Sequence, residues 1–136
     1  MNLQTLILEL APRHSARDRV PVIGEGSHPS VIAFDSGGML VWAGASEHTI
    51  YRDPCVNHAF RAWHDAAHIA GGFGFTLEGE RAACEYQIAE ALRRYPRIAP
   101  RVLGLIRAEV IGQAEYYATH GEFPIDQEAF IREYLK

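Results

Sequence analysis

The spacing of apolar residues changes once along the chain, at Asp53-Pro54, and that change limits the architectures open to it. Before it, short apolar runs are cut by turn residues: VPVI (20–23), VIAF (31–34) and MLVWAG (39–44), separated by GEGSHPS and DSGG. Runs bounded this way predict strands, with Asp35-Ser36-Gly37-Gly38 joining two of them as a hairpin. After it, apolar residues recur every three or four positions, and helices are expected near 56–71, 76–95, 99–119 and 125–135. Pro54 marks the boundary because the residue before a proline is pushed out of the α region. Gly71-Gly72 stops the first helix, and Thr76 caps the second, with Glu78 and Glu80 suited to its positive end. Pro96, Pro100, Gly121 and Pro124 separate the rest. Residues 2–10 read equally as a helix or an edge strand. The expectation is an α+β fold: a small antiparallel β-sheet or hairpin at about 20–50, then a bundle of three to four helices, in one domain over 1–136.

Charge and composition exclude several functions. With 13 basic and 17 acidic residues the net charge is −4, so there is no global positive field to hold a nucleic-acid backbone. No apolar stretch is long enough to span a bilayer, and MNLQTLILEL lacks the basic start and cleavage site of a secretory signal. Cys55 and Cys84 form no metal or redox motif, which suits a reducing compartment, and a cytoplasmic location is expected. Arg93, Arg94, Arg97 and Arg101 cluster near a helix C-terminus without interleaved aromatic residues and read as a solvated face. Ser27, Ser36 and Ser46 lack the setting of a nucleophilic serine. The glycine run at 71–74 connects two helices and follows no strand, so it is not a dinucleotide-binding loop.

The string Trp63-His64-Asp65-Ala66-Ala67-His68 carries the chemistry. On a helix His64 and His68, spaced i and i+4, project from one face about one turn apart, within reach of one Zn²⁺. Two half-buried, hydrogen-bonded histidines are the alternative reading of the same spacing.

His64-Asp65-Ala66-Ala67-His68 resembles the H-E-x-x-H motif of zincin metallopeptidases, with aspartate in place of glutamate. A small β segment before the motif helix and an acidic helix (77–92) after it are similar to the small ImmA/IrrE-type peptidases of phages and mobile elements, over roughly residues 31–95. The resemblance implies that His64 and His68 bind Zn²⁺, that Asp65 stands where the acid activating the water would be, and that a third ligand comes from the next helix. Aspartate is shorter by one carbon–carbon bond, about 1.5 Å, which reduces its reach as a general base.

On the predicted 76–95 helix the core face is Leu77, Cys84, Ile88, Ala91, Leu92 and Tyr95. Glu80 and Gln87 share one margin of that face and Glu85 lies at the other. Glu80, in the first turn, is the preferred third ligand, and its match to the family's third-ligand glutamate is one of order. On the 99–119 helix, Gln113 interrupts an apolar stripe, with Glu109, Tyr116 and His120 along one edge. Glu109, Gln113 and His120 are candidates to orient the imidazoles from behind, or to serve structure alone.

The function implied is a zinc-dependent peptide or amide hydrolase acting on a peptide or protein, with the hairpin able to align an extended chain. A non-catalytic interaction or regulatory module of a phage or mobile element, retaining the zincin-like shape, is the second reading. The adjacent His-Asp pair also resembles the HD metal-dependent phosphohydrolases. Those need a downstream aspartate, for which Asp126 is placed, and an upstream helical histidine, which His14, His28 and His48 do not provide.

Overall fold

A computed structural model describes residues 1–20 and 26–136. Helix α1 (Leu3–Leu10) leads to strand β1 (His14–Arg17), a 3₁₀ turn at Pro29–Val31, and the hairpin β2 (Phe34–Asp35) and β3 (Gly38–Trp42). Helices α2 (Pro54–Gly71) and α3 (Leu77–Arg94) follow. Helix α4 is a continuous rod over 100–120, with α turns at Pro100–Arg107 and Gln113–His120 flanking a π turn at Ala108–Gly112. Helix α5 (Gln127–Tyr134) closes the chain. The α+β expectation holds, as a small sheet accompanied by helices.

The sheet is mixed where an antiparallel one was expected. Its order is β1-β3-β2, with β2 antiparallel to β3 and β1 parallel to it, pairing His14 with Met39 through Arg17 with Trp42. The hairpin turns at the expected Asp35–Gly38 segment, where the Asp35 carboxylate accepts from Gly37 N–H at 2.7 Å. Most of VIAF is not strand: Pro29 starts a 3₁₀ turn capped by His28, and only Phe34 of the run pairs with β3. The predicted strand at VPVI falls largely on residues 21–25, outside the described residues. Strand β1 carries the polar residues His14, Ser15 and Arg17, so no apolar alternation announces it.

Helix ends follow local chemistry. Asp53 accepts from Cys55 N–H at 2.9 Å ahead of Pro54, and Gly72, at φ 66°, ends α2 in the left-handed region that glycine tolerates. Thr76 caps α3 by accepting from Gly79 N–H at 3.0 Å, and Asp126 caps α5 by accepting from Ala129 N–H at 2.9 Å. Residues 3–10 resolve as a helix that buries Leu3, Leu6 and Ile7.

Helix α2 is the central element. One face packs Val56, Ala59, Phe60 and Trp63 against Leu6, Ile7, Ile88 and Ile106 from α1, α3 and α4. Another presents Ala62 and Ala66 to Ile32, Met39 and Val41 of the sheet layer. Each fully buried aliphatic or aromatic side chain stabilises by about 1.5–3 kcal/mol, so α2 is held from two sides. Trp63 Nε1–H donates to Glu90 Oε1 at 2.6 Å, tying α2 to α3. Leu92, expected on the core face of α3, is 37% exposed, because α3 turns Gln87 and Ala83 inward instead.

The α2–α3 connection is tight. A Cβ at Gly79 would run into the Gly74 carbonyl, so only glycine lets the first turn of α3 close onto the preceding loop. Gly79→Ala is expected to lower stability by about 1–3 kcal/mol in urea denaturation, with the loss carried by the 71–80 segment in hydrogen exchange.

Candidate metal centre

His64 and His68 lie on consecutive turns of α2, and Glu80 rises from the first turn of α3 beside them. His64 Nε2 is 2.6 Å from Glu80 Oε2, His68 Nε2 is 3.2 Å from the same oxygen, and the two Nε2 atoms are 3.1 Å apart. The rings stand almost perpendicular, at 87°. Four ligands about 2.0–2.1 Å from a tetrahedral Zn²⁺ stand about 3.3–3.4 Å from one another. Two of the three separations are close to that spacing, and the His64–Glu80 edge, at hydrogen-bond length, would open by about 0.7 Å to admit an ion.

The far sides of the rings are held as well. His68 Nδ1–H donates to the Phe73 carbonyl at 2.9 Å, and His64 Nδ1–H donates to Gln87 Oε1 at 2.7 Å. These bonds leave both Nε2 lone pairs pointing at the Glu80 oxygen, which is itself an acceptor. Phe75 stacks on His68 with centroids 4.3 Å apart, and Phe60 lies parallel to His64 at 6.3 Å.

Three converging acceptors need a cation between them. Without a metal, that cation is a proton on His64. Burial disfavours charging the ring, but the Glu80 carboxylate outweighs it and raises the pKa to about 9. Glu80 moves the other way, to about 2: burial would raise it, and the charge and hydrogen bond of His64 more than reverse that. A divalent ion would replace the shared proton and satisfy all three atoms at once.

The centre opens on a cavity of about 860 Å³, lined by residues of β3, α2, α3 and α4 and of the loops at 45–48 and 123–125. His64 and Glu80 reach its wall, whereas His68 is fully buried behind them. Glu109 and Gln113 of α4 line the same cavity.

His64, His68 and Glu80, expected from spacing and order, are brought together. Glu85 is turned away, 3.8 Å from Arg107 on the exposed side of α3. Asp65 is half-buried beside His64 but is not among the residues lining the cavity. Burial is the main cause raising its pKa to about 6, against the charges of His64 and His68. The Arg61 guanidinium, one turn before Asp65, donates to the Trp42 and Gly44 carbonyls.

The residues expected behind the imidazoles sit elsewhere. Glu109 and Gln113 bond to each other, Gln113 Nε2–H donating to Glu109 Oε2 at 3.1 Å. His120 is exposed, bonded to the Tyr116 carbonyl and stacked on the Tyr116 ring. Their place is taken by Gln87 and the Phe73 carbonyl. Gln87 carried a legible signal: seven residues after Glu80, it lies two turns along the same stripe of α3. No family model, no curated protein and no solved structure matches the chain.

Gln87→Leu removes the acceptor that orients His64 while keeping the volume. Any divalent ion the cluster holds should then bind 10–100-fold more weakly in competition with a chromogenic chelator, with the stoichiometry at saturation unchanged. Glu109 supports a second expectation. Burial pushes its pKa up to about 8, opposed by Arg61, from an ordinary 4.5. The folded chain thus holds this proton more tightly than the unfolded one. The group's contribution is full below about pH 4.5 and is lost as pH rises through about 8. Glu109→Gln should therefore match the parent Tm at low pH and exceed it at about pH 9, the gap growing by at most about 1.4 kcal/mol per pH unit.

Proposed function

We propose that the chain is a zincin-like metal-dependent hydrolase of peptide or amide bonds, with a divalent ion, Zn²⁺ by the chemistry of the donors, held by His64, His68 and Glu80. The observation that carries this reading is the convergence of two oriented Nε2 atoms and one carboxylate oxygen within 3.2 Å of each other on the wall of a large cavity. Two imidazoles and a carboxylate match catalytic zinc sites, which keep a further position open. When bound, such an ion supplies Lewis acidity toward a carbonyl and acidifies water.

The chain's own residues do the rest. Gln87 and the Phe73 carbonyl fix the two rings, and Phe75 and Phe60 shield them. Trp42, Val110 and Leu77 give the cavity apolar wall against which a substrate chain can lie. Strand β3 is flanked on both sides, so an extended peptide joining the sheet would have to pair with β1 or β2. Asp65 is off the cavity wall, so the reading rests on the metal site and the cavity rather than on the aspartate as a base.

That placement of Asp65 favours one alternative, a non-catalytic module of a phage or mobile element that binds metal and a protein partner through the same cavity. The HD-type phosphohydrolase reading has less support, since it requires Asp65 as a ligand and the converging carboxylate is Glu80. Unpaired Cys55 and Cys84 fit a reducing compartment such as the cytoplasm. Among the described residues no helix is long and apolar enough to cross a membrane.

The native chain is expected to carry about one Zn²⁺ per molecule by elemental analysis. His64→Ala and His68→Ala should lose it, and Asp65→Ala should keep it. Incubation with a peptide library read by mass spectrometry should show cleavage that stops on chelation and returns with Zn²⁺. Metal binding without cleavage would select the non-catalytic reading, and a metal-free native chain would overturn both.

A further inference from the structure

The cavity has a second polar end that the metal centre does not use. Glu109 is only 6% exposed, yet its Oε1 has no hydrogen-bond partner among the described residues. Its other oxygen is taken by Gln113. A buried carboxyl oxygen without a partner is costly, and more so when the group is charged, so a cationic donor reaching it from the cavity would offset both costs. The nearest cation cannot supply one. Arg61 is bound to the Trp42 and Gly44 carbonyls, and its guanidinium lies 5.2 Å over the Trp42 ring.

The surroundings indicate the donor's charge. The described lining includes the acidic side chains Glu47, Glu80 and Glu109 against one permanent cation, Arg61. A metal at His64, His68 and Glu80 would offset Glu80 and leave the Glu109 end acidic. Tyr117 and Phe123, with ring centroids 4.8 Å apart, line the cavity while remaining 39% and 54% exposed, so they stand at its mouth. Aromatic faces at the mouth and a buried carboxylate within suit an organic cation on an apolar stem, by cation–π attraction and then by an ion pair.

We propose that Glu109 anchors a positively charged organic group, an ammonium or guanidinium, on a ligand that enters past Tyr117 and Phe123. Joined to the hydrolase reading, on which this step rests, the substrate is a peptide bearing a lysine or arginine side chain. A free alkylamine presents the same chemistry.

The test uses the whole chain, folded and at about pH 8.5, where the Glu109 proton is released while alkylammonium groups keep theirs. n-Butylammonium, n-butylguanidinium and neutral 1-butanol are titrated and followed by amide NMR shifts. Both cations should bind at least about tenfold more tightly than the alcohol, equivalent to about 1.4 kcal/mol. Glu109→Gln, which keeps the shape, should abolish that preference, and Glu109→Asp should weaken it several-fold. Acetyl-Gly-Lys-Gly-amide is then compared with its norleucine counterpart. Tighter binding of the lysine peptide than of n-butylammonium assigns the cation to a peptide side chain, and the reverse assigns it to a free amine. Equal binding of alcohol and amine, or a preference that survives in Glu109→Gln, overturns the anchor. His64→Ala separates the two proposals: it should lose metal yet keep the cation preference. A metal-free native chain with that preference intact would sink the hydrolase reading and leave the anchor standing.

Discussion

Everything distinctive about this fold turns on one electrostatic problem, three hydrogen-bond acceptors brought to a point inside a protein. His68 states it most sharply. Its ring is fully buried, its Nδ1–H is committed to the Phe73 backbone carbonyl, and its remaining lone pair faces His64 and Glu80. Buried acceptors that face each other repel unless something positive lies between them. The core packing around α2, the cap and glycine contacts of the α2–α3 turn, and the Gln87 bond all hold that arrangement in place. In the metal-free chain a proton on His64 fills that place, and the proposed metal would fill it for all three atoms at once.

The surrounding chain divides into a rigid side and a receptive side. On the rigid side, Trp63 bonds to Glu90 across the α2–α3 contact and packs edge-on against Phe60 of its own helix, so the turns bearing His64, His68 and Glu80 have little freedom. On the receptive side, α4 passes through a π turn at Ala108–Gly112 and lines the cavity with Glu109 and Gln113. Such turns recur at functional sites because the widened backbone re-aims the side chains it carries. Glu109 and its unpaired oxygen sit in this turn, which is why the helix deserves a functional reading beyond packing.

Much of this was legible in the residues, and the gaps have physical causes. The helices showed through because amphipathic periodicity and caps are local signals: Asp53-Pro54, Gly72, Thr76 and Asp126 lie at or beside the ends they mark. Spacing put His64 and His68 on one face, and order put Glu80 near them. Strand β1 was invisible because it is a half-exposed edge with polar side chains, and its parallel pairing with β3 depends on residues more than twenty positions away. The orientation of Asp65 away from the cavity, and the use of Gln87 and a backbone carbonyl behind the rings, depend on how α3 docks against α2. A backbone acceptor such as the Phe73 carbonyl leaves no mark on residue identity at all.

The close approach of Gly79 to the Gly74 carbonyl has a consequence for how the molecule assembles. It draws α3 back along α2 so soon that His68 and Glu80 are twelve residues apart in sequence, and His64 and Gln87 twenty-three. Short loops lose little chain entropy on closing, so this helical hairpin can gather its donor atoms before the sheet or α4 has docked. Glu109, by contrast, comes from a later helix and reaches the cavity only where that helix packs against α3. One end of the cavity is thus built from residues close together in the chain, and the other is supplied by a separate helix.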